Sequence, residues 1–291
     1  MMRLIQGAVV ALALPTALFT FQGAPKEWTE RTAPYLILDG IYYVGTVDLG
    51  SYLITSPAGH ILIDTGVEQN AASISDSIRA LGFNVKDVRI ILTTQAHFDH
   101  VGALAKLKAL TGARVLASAG DAPLLEQGGK GDYLFGPEFY FHAVHVDAIV
   151  KDGEVVRLGG RALVAHLTPG HTQGTTTWTL EAQDKLGRVR HVMFMGSTTV
   201  NDGAKLVDNE KYPAIATDYR RSFMVLKALP CDVFLTAHAS VFRGADKAAA
   251  AAAGKGEDAF VDPSGCRDVI ERMRKAFDEK LAAQRAGHGQ G

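Results

Sequence analysis

The sequence has no excess of charge of either sign. Lys and Arg number 30 against 31 Asp and Glu, a formal net charge of -1. That balance gives no global pull toward nucleic acid or anionic lipid. A basic nucleic-acid binder and a polyacidic tail protein are both excluded. Charged residues make up 21% and hydrophobic residues 47% of the 291, which excludes disorder and a multi-span membrane protein. Cysteine is scarce, with two in the chain, and neither lies near the N-terminus, so a lipoprotein anchor is not expected. Neither S-x-x-K nor G-x-S-x-G occurs, which removes two familiar serine nucleophiles. No strong linker divides the chain, and its length suffices for a sizeable core.

What is present begins with an address. Met1–Arg3 is a short basic start, and Ile5–Phe21 is almost wholly apolar with Pro15 inside it. This pattern predicts a secretory signal over residues 1–24. A membrane anchor is the alternative, but the run is short for a spanning helix and contains proline. Gly23-Ala24 is followed by Pro25, which leaves the cleavage site open. A periplasmic or secreted protein follows, with no membrane contact after cleavage. In that compartment Cys231 and Cys266 are expected to pair. Two separate buried thiols are the alternative.

Tyr35–Gly45, Ser51–Thr55 and His60–Asp64 read as strands of an antiparallel meander, separated by Asp39-Gly40, Leu49-Gly50 and Pro57-Ala58-Gly59. Ala71–Leu81 has helical periodicity, Val88–Thr93 is a buried-type strand, and Gly102–Leu110 is a helix. Ile149–Leu158, Arg161–His166, Thr175–Leu180 and Arg190–Gly196 repeat the strand pattern. Helices over Asp218–Leu229 and Asp268–Gln284 flank a strand at Asp232–Thr236, and Lys247–Gly256 is an alanine-rich surface helix or loop. Strands and βα units thus occur twice over. Two facing sheets with helices outside are the natural layered solution, in one domain over residues 25–291 built of two similar halves.

The chemistry gathers at strand ends. Gln95-Ala96-His97-Phe98-Asp99-His100 follows the strand Val88–Thr93. Three metal-competent side chains within four residues are a poor fit to packing alone, because each would need a buried partner. His171 sits in the turn Thr168-Pro169-Gly170-His171-Thr172, and His238 follows the strand ending at Thr236. Imidazole with carboxylate suits zinc or another divalent transition ion, and the count is enough for two ions.

This spacing resembles the metallo-β-lactamase superfamily, whose fold is an α/β, αβ/βα four-layer sandwich with metals at the edge between its halves. Asp64-Thr65-Gly66 matches an early turn of that superfamily, in which the aspartate supports the ligands without being one. Tyr42–Thr46, His171–Thr176, Asp218–Phe223 and Leu229–Asp232 are similar to the class B β-lactamases of the third subclass, in a branch with glutamine at the first ligand position. The likeness covers nearly all of Trp28 to about Ala283. It implies a first zinc held by Gln95, His97 and His171 and a second held by Asp99, His100 and His238. Ser197 cannot replace the cysteine ligand of other subclasses, and His100 takes that place.

The implied activity is zinc-dependent hydrolysis of the β-lactam amide bond by a metal-bound hydroxide, with Asp99 orienting the nucleophile. The substrate is a small molecule, and a monomer is expected. Ser197 and Thr199 are the candidate contacts to the substrate carboxylate. Tyr133, Phe135, Phe139 and Tyr140 either wall the pocket or pack as a loop. Because Gln95 offers a neutral amide oxygen, the first zinc is expected to be held more weakly. A glyoxalase-like thioesterase or lactonase shares much of the metal motif, so fold alone does not decide. A metal-binding protein without catalysis is the remaining rival.

Overall fold

The computed structural model describes residues 24–288. All but the last residue of the expected signal lies outside that range. Among the described residues, twelve strands form two sheets. The first holds β1 (Tyr35–Leu38), β2 (Ile41–Tyr43), β3 (Tyr52–Ile54), β4 (His60–Ile63), β5 (Val88–Leu92), β6 (Arg114–Ser118) and β7 (Ala148–Val150), paired in that order. The second runs β12 (Val233–Thr236), β11 (Val189–Met195), β10 (Thr176–Gln183), β9 (Arg161–Leu167) and β8 (Val155–Leu158). Each sheet begins as an antiparallel meander and ends in parallel pairing, from β4 onward in the first and between β11 and β12 in the second. The two sheets thus share a plan in which a meander leads into parallel pairing.

The strands alternate with period 2, and both faces of the first sheet are covered. In β5, Ile90 and Leu92 enter the core between the sheets, while Ile91 points to the helical side. In β4, Ile61 and Ile63 split from Leu62 in the same way. The outer layer on this side is α1 (Asn70–Ala80), α3 (Leu104–Thr111) and α4 (Ala122–Glu126), which bury Ile74, Ile78, Leu104, Leu107 and Leu125. Trp178 of β10 is wholly buried between the sheets. On the far side lie α5 (Ile215–Ala228) and α7 (Pro263–His288). Ile215, Tyr219, Phe223 and Leu226 form an apolar stripe on α5, and Phe277 of α7 stacks on Tyr219 at 5.1 Å. The four-layer order is helix, sheet, sheet, helix. No described helix is long and apolar enough to cross a membrane.

One segment departs from the sequence reading. Ile149–Leu158 is not one strand. It is β7 and β8, which belong to different sheets. Asp152-Gly153 makes the turn, with Gly153 at φ 75°, a backbone region that favours glycine. Its amide donates to Ala165 O at 2.8 Å, which starts the second sheet. The alanine-rich stretch is α6 (Gly244–Ala250) and its irregular continuation.

Cys231 and Cys266 are bonded, tying the segment that leads into β12 to the first turn of α7 across 35 residues of sequence. Closing a loop of that length removes unfolded-state entropy worth roughly 3–4 kcal/mol. Replacing both cysteines with alanine should lower unfolding stability by about that amount, measured by denaturant titration. An unchanged midpoint would show that the bond contributes nothing.

Candidate metal centre

Five strand ends meet along one seam. Cross-sheet bonds fix it: Trp178 Nε1 donates to Thr93 O at 3.1 Å, and Thr176 N donates to Thr94 O at 2.8 Å. Tyr52 Oη donates to Thr236 O at 2.6 Å. After β5 the chain enters the single helical turn α2 (Phe98–Val101), with His97 just before it. After β9 it turns through Pro169-Gly170 to His171. Gly170 has φ 142°, and a Cβ there would lie 2.7 Å from the Tyr219 ring, so the turn admits glycine alone. After β12, His238 pairs as an isolated bridge with Leu49.

Two groups of acceptors result. Asp99, His100 and His238 place one ligand atom each within 4.8 Å of one another. His100 Nε2 is 3.1 Å and His238 Nε2 is 3.6 Å from Asp99 Oδ2. His238 Nδ1 donates to Asp48 Oδ2 at 2.9 Å, so Nε2 faces Asp99 and carries a lone pair when the ring is neutral. The other group is His97 with His171, whose Nδ1 and Nε2 lie 3.1 Å apart. His171 Nδ1 donates to Thr199 O at 2.8 Å, which leaves Nε2 as an acceptor. His97 Nε2 lies 3.4 Å from Asp132 Oδ2, an ion-pair contact longer than a well-formed hydrogen bond, and neither atom has a hydrogen-bond partner. Among the described residues, both ring nitrogens of buried His100 also lack hydrogen-bond partners.

Buried acceptors that face acceptors need a cation between them. Two nitrogens on one tetrahedral zinc would be roughly 3.3 Å apart, close to the spacing observed here. The imidazole and carboxylate donors suit zinc, so the residues present fit the metal. The titration shifts follow from the same crowding. Burial pushes Asp99 up, but His100 and His238 outweigh it and hold the carboxyl well below its usual range. Burial, reinforced by His97, lowers His171 to about 3. Burial also opposes charge on His238, yet its bonds to Asp48 and Asp99 raise it to about 9.

Asp64 lies behind the candidate ligands. It is fully buried at φ 56°, and its carboxylate accepts from Thr94 N at 2.7 Å and Thr94 Oγ1 at 2.6 Å. Burial, ahead of His100 and the Thr94 bonds that oppose it, pushes its carboxyl up to about 6. It fixes the start of the segment that carries Gln95, His97, Asp99 and His100. Gln95 is 1% exposed, and its Oε1 accepts from Ser197 N at 2.9 Å. The adjoining cavity, of about 420 Å³, is lined by His97, Asp99, His100, His171 and His238 but not by Gln95.

Ser197 and Thr199 line the same cavity, as do Phe135, Phe139 and Trp28. Tyr133 instead donates from its hydroxyl to His171 O at 3.2 Å, and Tyr140 is partly exposed outside the lining. The aromatic loop is thus both wall and packing. Sequence reasoning missed Asp48, Asp132 and Trp28. Asp48 precedes Leu49-Gly50, which reads only as a turn. Asp132 sits in a glycine-rich loop with no periodic signal. Trp28 precedes every strand, yet its ring lies 5.9 Å from both Phe98 and His238.

The sequence profile of the metallo-beta-lactamase superfamily matches residues 51–238. The native FEZ-1 metallo-beta-lactamase from Legionella gormanii superposes with a TM-score of 0.86 at 42% identity, covering 88% of this chain and 98% of that one. BJP-1, a subclass B3 metallo-beta-lactamase of Bradyrhizobium japonicum, superposes with a TM-score of 0.83 at 38% identity, covering 90% and 98%. A hydroxyacylglutathione hydrolase of Methylobacterium sp. (strain 4-46) is 35% identical over 123 residues, covering 42% of this chain. The chain matches only 38% of the length of that relative.

A neutral amide is a weaker zinc donor than imidazole, and the Gln95 oxygen already accepts from Ser197 N. In a chelator titration followed by metal content, the His97–His171 group should therefore empty before the Asp99–His100–His238 group. Gln95→His should raise retention at the first group. Simultaneous loss of both equivalents, unchanged by the substitution, would show that Gln95 is not the weak ligand.

Proposed function

The chain belongs to the metallo-beta-lactamase superfamily, and from that premise we propose that it hydrolyses the β-lactam amide bond of penicillins, cephalosporins and carbapenems after export. His97 and His171, with Gln95 beside them, would hold a first zinc, and Asp99, His100 and His238 a second. Zinc supplies a Lewis acid that brings the pKa of water to about neutral and polarises a carbonyl. The observation that carries this reading is the pair of inward-facing acceptor groups opening on one cavity.

The protein's own residues divide the remaining work. Asp99 stays ionised between His100 and His238, and its carboxylate orients the attacking water. Asp48 and Thr199 O hold His238 and His171 in the tautomers that turn Nε2 inward. Trp28, Phe135 and Phe139 give an apolar wall that excludes bulk water from one side of the substrate. Ser197 and Thr199, which line the cavity, would donate to the substrate carboxylate. The extent of the match to FEZ-1 favours a β-lactam over a glutathione thioester, since the hydroxyacylglutathione hydrolase match is confined to 42% of the chain.

Purified protein should hydrolyse a carbapenem, lose that activity to a chelator and regain it with zinc. Asp99→Ala and His238→Ala should each lower turnover by roughly a hundredfold or more, beyond the 10–100-fold typical of outer partners. An acyl-glutathione thioester should be hydrolysed poorly. Thioester turnover without β-lactam turnover would assign the site to the thioesterase alternative. Activity surviving complete metal removal would refute both.

A further inference from the structure

Asp132 is a buried carboxylate that no β-strand or helix requires. Its two oxygens face different ways. Oδ1 accepts from Leu134 N at 2.7 Å and Phe135 N at 2.8 Å, closing a tight turn. Oδ2 has no hydrogen-bond partner and faces His97 Nε2 at 3.4 Å. The same segment touches the rest of the first group: Tyr133 reaches His171 O, and the Phe135 ring lies 4.7 Å from the His97 ring.

We propose that Asp132 is a positioning residue: it fixes the proton of His97 on Nε2 and thereby keeps the Nδ1 lone pair turned toward His171 and the first metal. This rests on the metal-centre reading given above. An ionised carboxylate only accepts, so the imidazole nitrogen beside it must carry hydrogen. A neutral imidazole carries one hydrogen, so Nδ1 is left bare. Outer carboxylates commonly orient metal-bound histidines in this way and raise their basicity. With Gln95 offering only an amide, the first group depends on its two imidazoles, and the tautomer of His97 decides whether one of them is a ligand.

The turn makes this testable with a near-isosteric change. In Asp132→Asn the side-chain oxygen stays on Leu134 N and Phe135 N, because the alternative sets an amide NH2 against two N–H donors. The NH2 must then face His97 Nε2, which can only accept. The ring hydrogen moves to Nδ1, which donates to His171 Nε2 across the existing 3.1 Å gap. The variant should fold normally yet close the first group with a hydrogen bond.

Two measurements decide. Nitrogen-15 spectra of the imidazoles, taken on metal-free protein under conditions where the His97 ring is neutral, should show His97 protonated on Nε2 in the parent protein. They should show it protonated on Nδ1 in Asp132→Asn. Cobalt(II) titration should give two equivalents in the parent protein. In the variant the second group should keep its affinity, while the first binds roughly 10–100-fold more weakly, with no fall in the melting temperature of the metal-free form. An unchanged tautomer, unchanged binding of both equivalents, or equal weakening of both would overturn the proposal. Uptake of a single equivalent by the parent protein would instead count against a first metal at all, and the tautomer would still decide for or against Asp132.

Discussion

Like meets like at the centre of this protein. Imidazole lone pairs and a carboxylate converge in a buried seam, and among the described residues no protein cation lies between them except by protonating the histidines themselves. His97 and His171 face each other at 3.1 Å, and His238 faces Asp99 at 3.6 Å. Such an arrangement is costly unless positive charge occupies it. Much of the surrounding architecture holds these groups against that cost. Asp48 and the Thr199 carbonyl fix two of the rings from behind, and Asp64 anchors the segment that carries four of the candidate ligands through Thr94.

The fold makes the convergence possible because neighbouring strands of both sheets end along one seam, where their loops are free to point inward. β4 and β5 supply one side, and β9, β11 and β12 supply the other. Short cross-sheet bonds set the relative position of these ends. The Trp178 indole on Thr93 O and the Tyr52 hydroxyl on Thr236 O both lie in the core between the sheets. A large apolar body with one polar tip packs the interior and satisfies a backbone carbonyl in the same place. The left-handed backbone at Asp64, at φ 56°, is strain carried close to the candidate ligands.

The inner faces of the site were legible in the sequence, and the outer faces were not. His97, Asp99 and His100 are adjacent in sequence and follow a strongly apolar strand, so polar groups there announce themselves. His171 and His238 were legible because each follows a strand with little between. Asp48 and Asp132 act on His238 and His97 from 190 and 35 positions away, and no local pattern distinguishes them from turn residues. The division of Ile149–Leu158 between two sheets was hidden for a related reason. Both pieces alternate like one strand, and only the partners of each piece separate them.

The central claim is that two metal ions satisfy two adjacent groups of facing acceptors. Anomalous diffraction from zinc-grown crystals, recorded on both sides of the zinc absorption edge, tests it most directly. The account predicts one peak between His97 Nδ1 and His171 Nε2, the weaker of the two, and one among Asp99, His100 and His238. Ordered water in place of both peaks, or zinc only on surface groups such as Glu68 with His142, would contradict it.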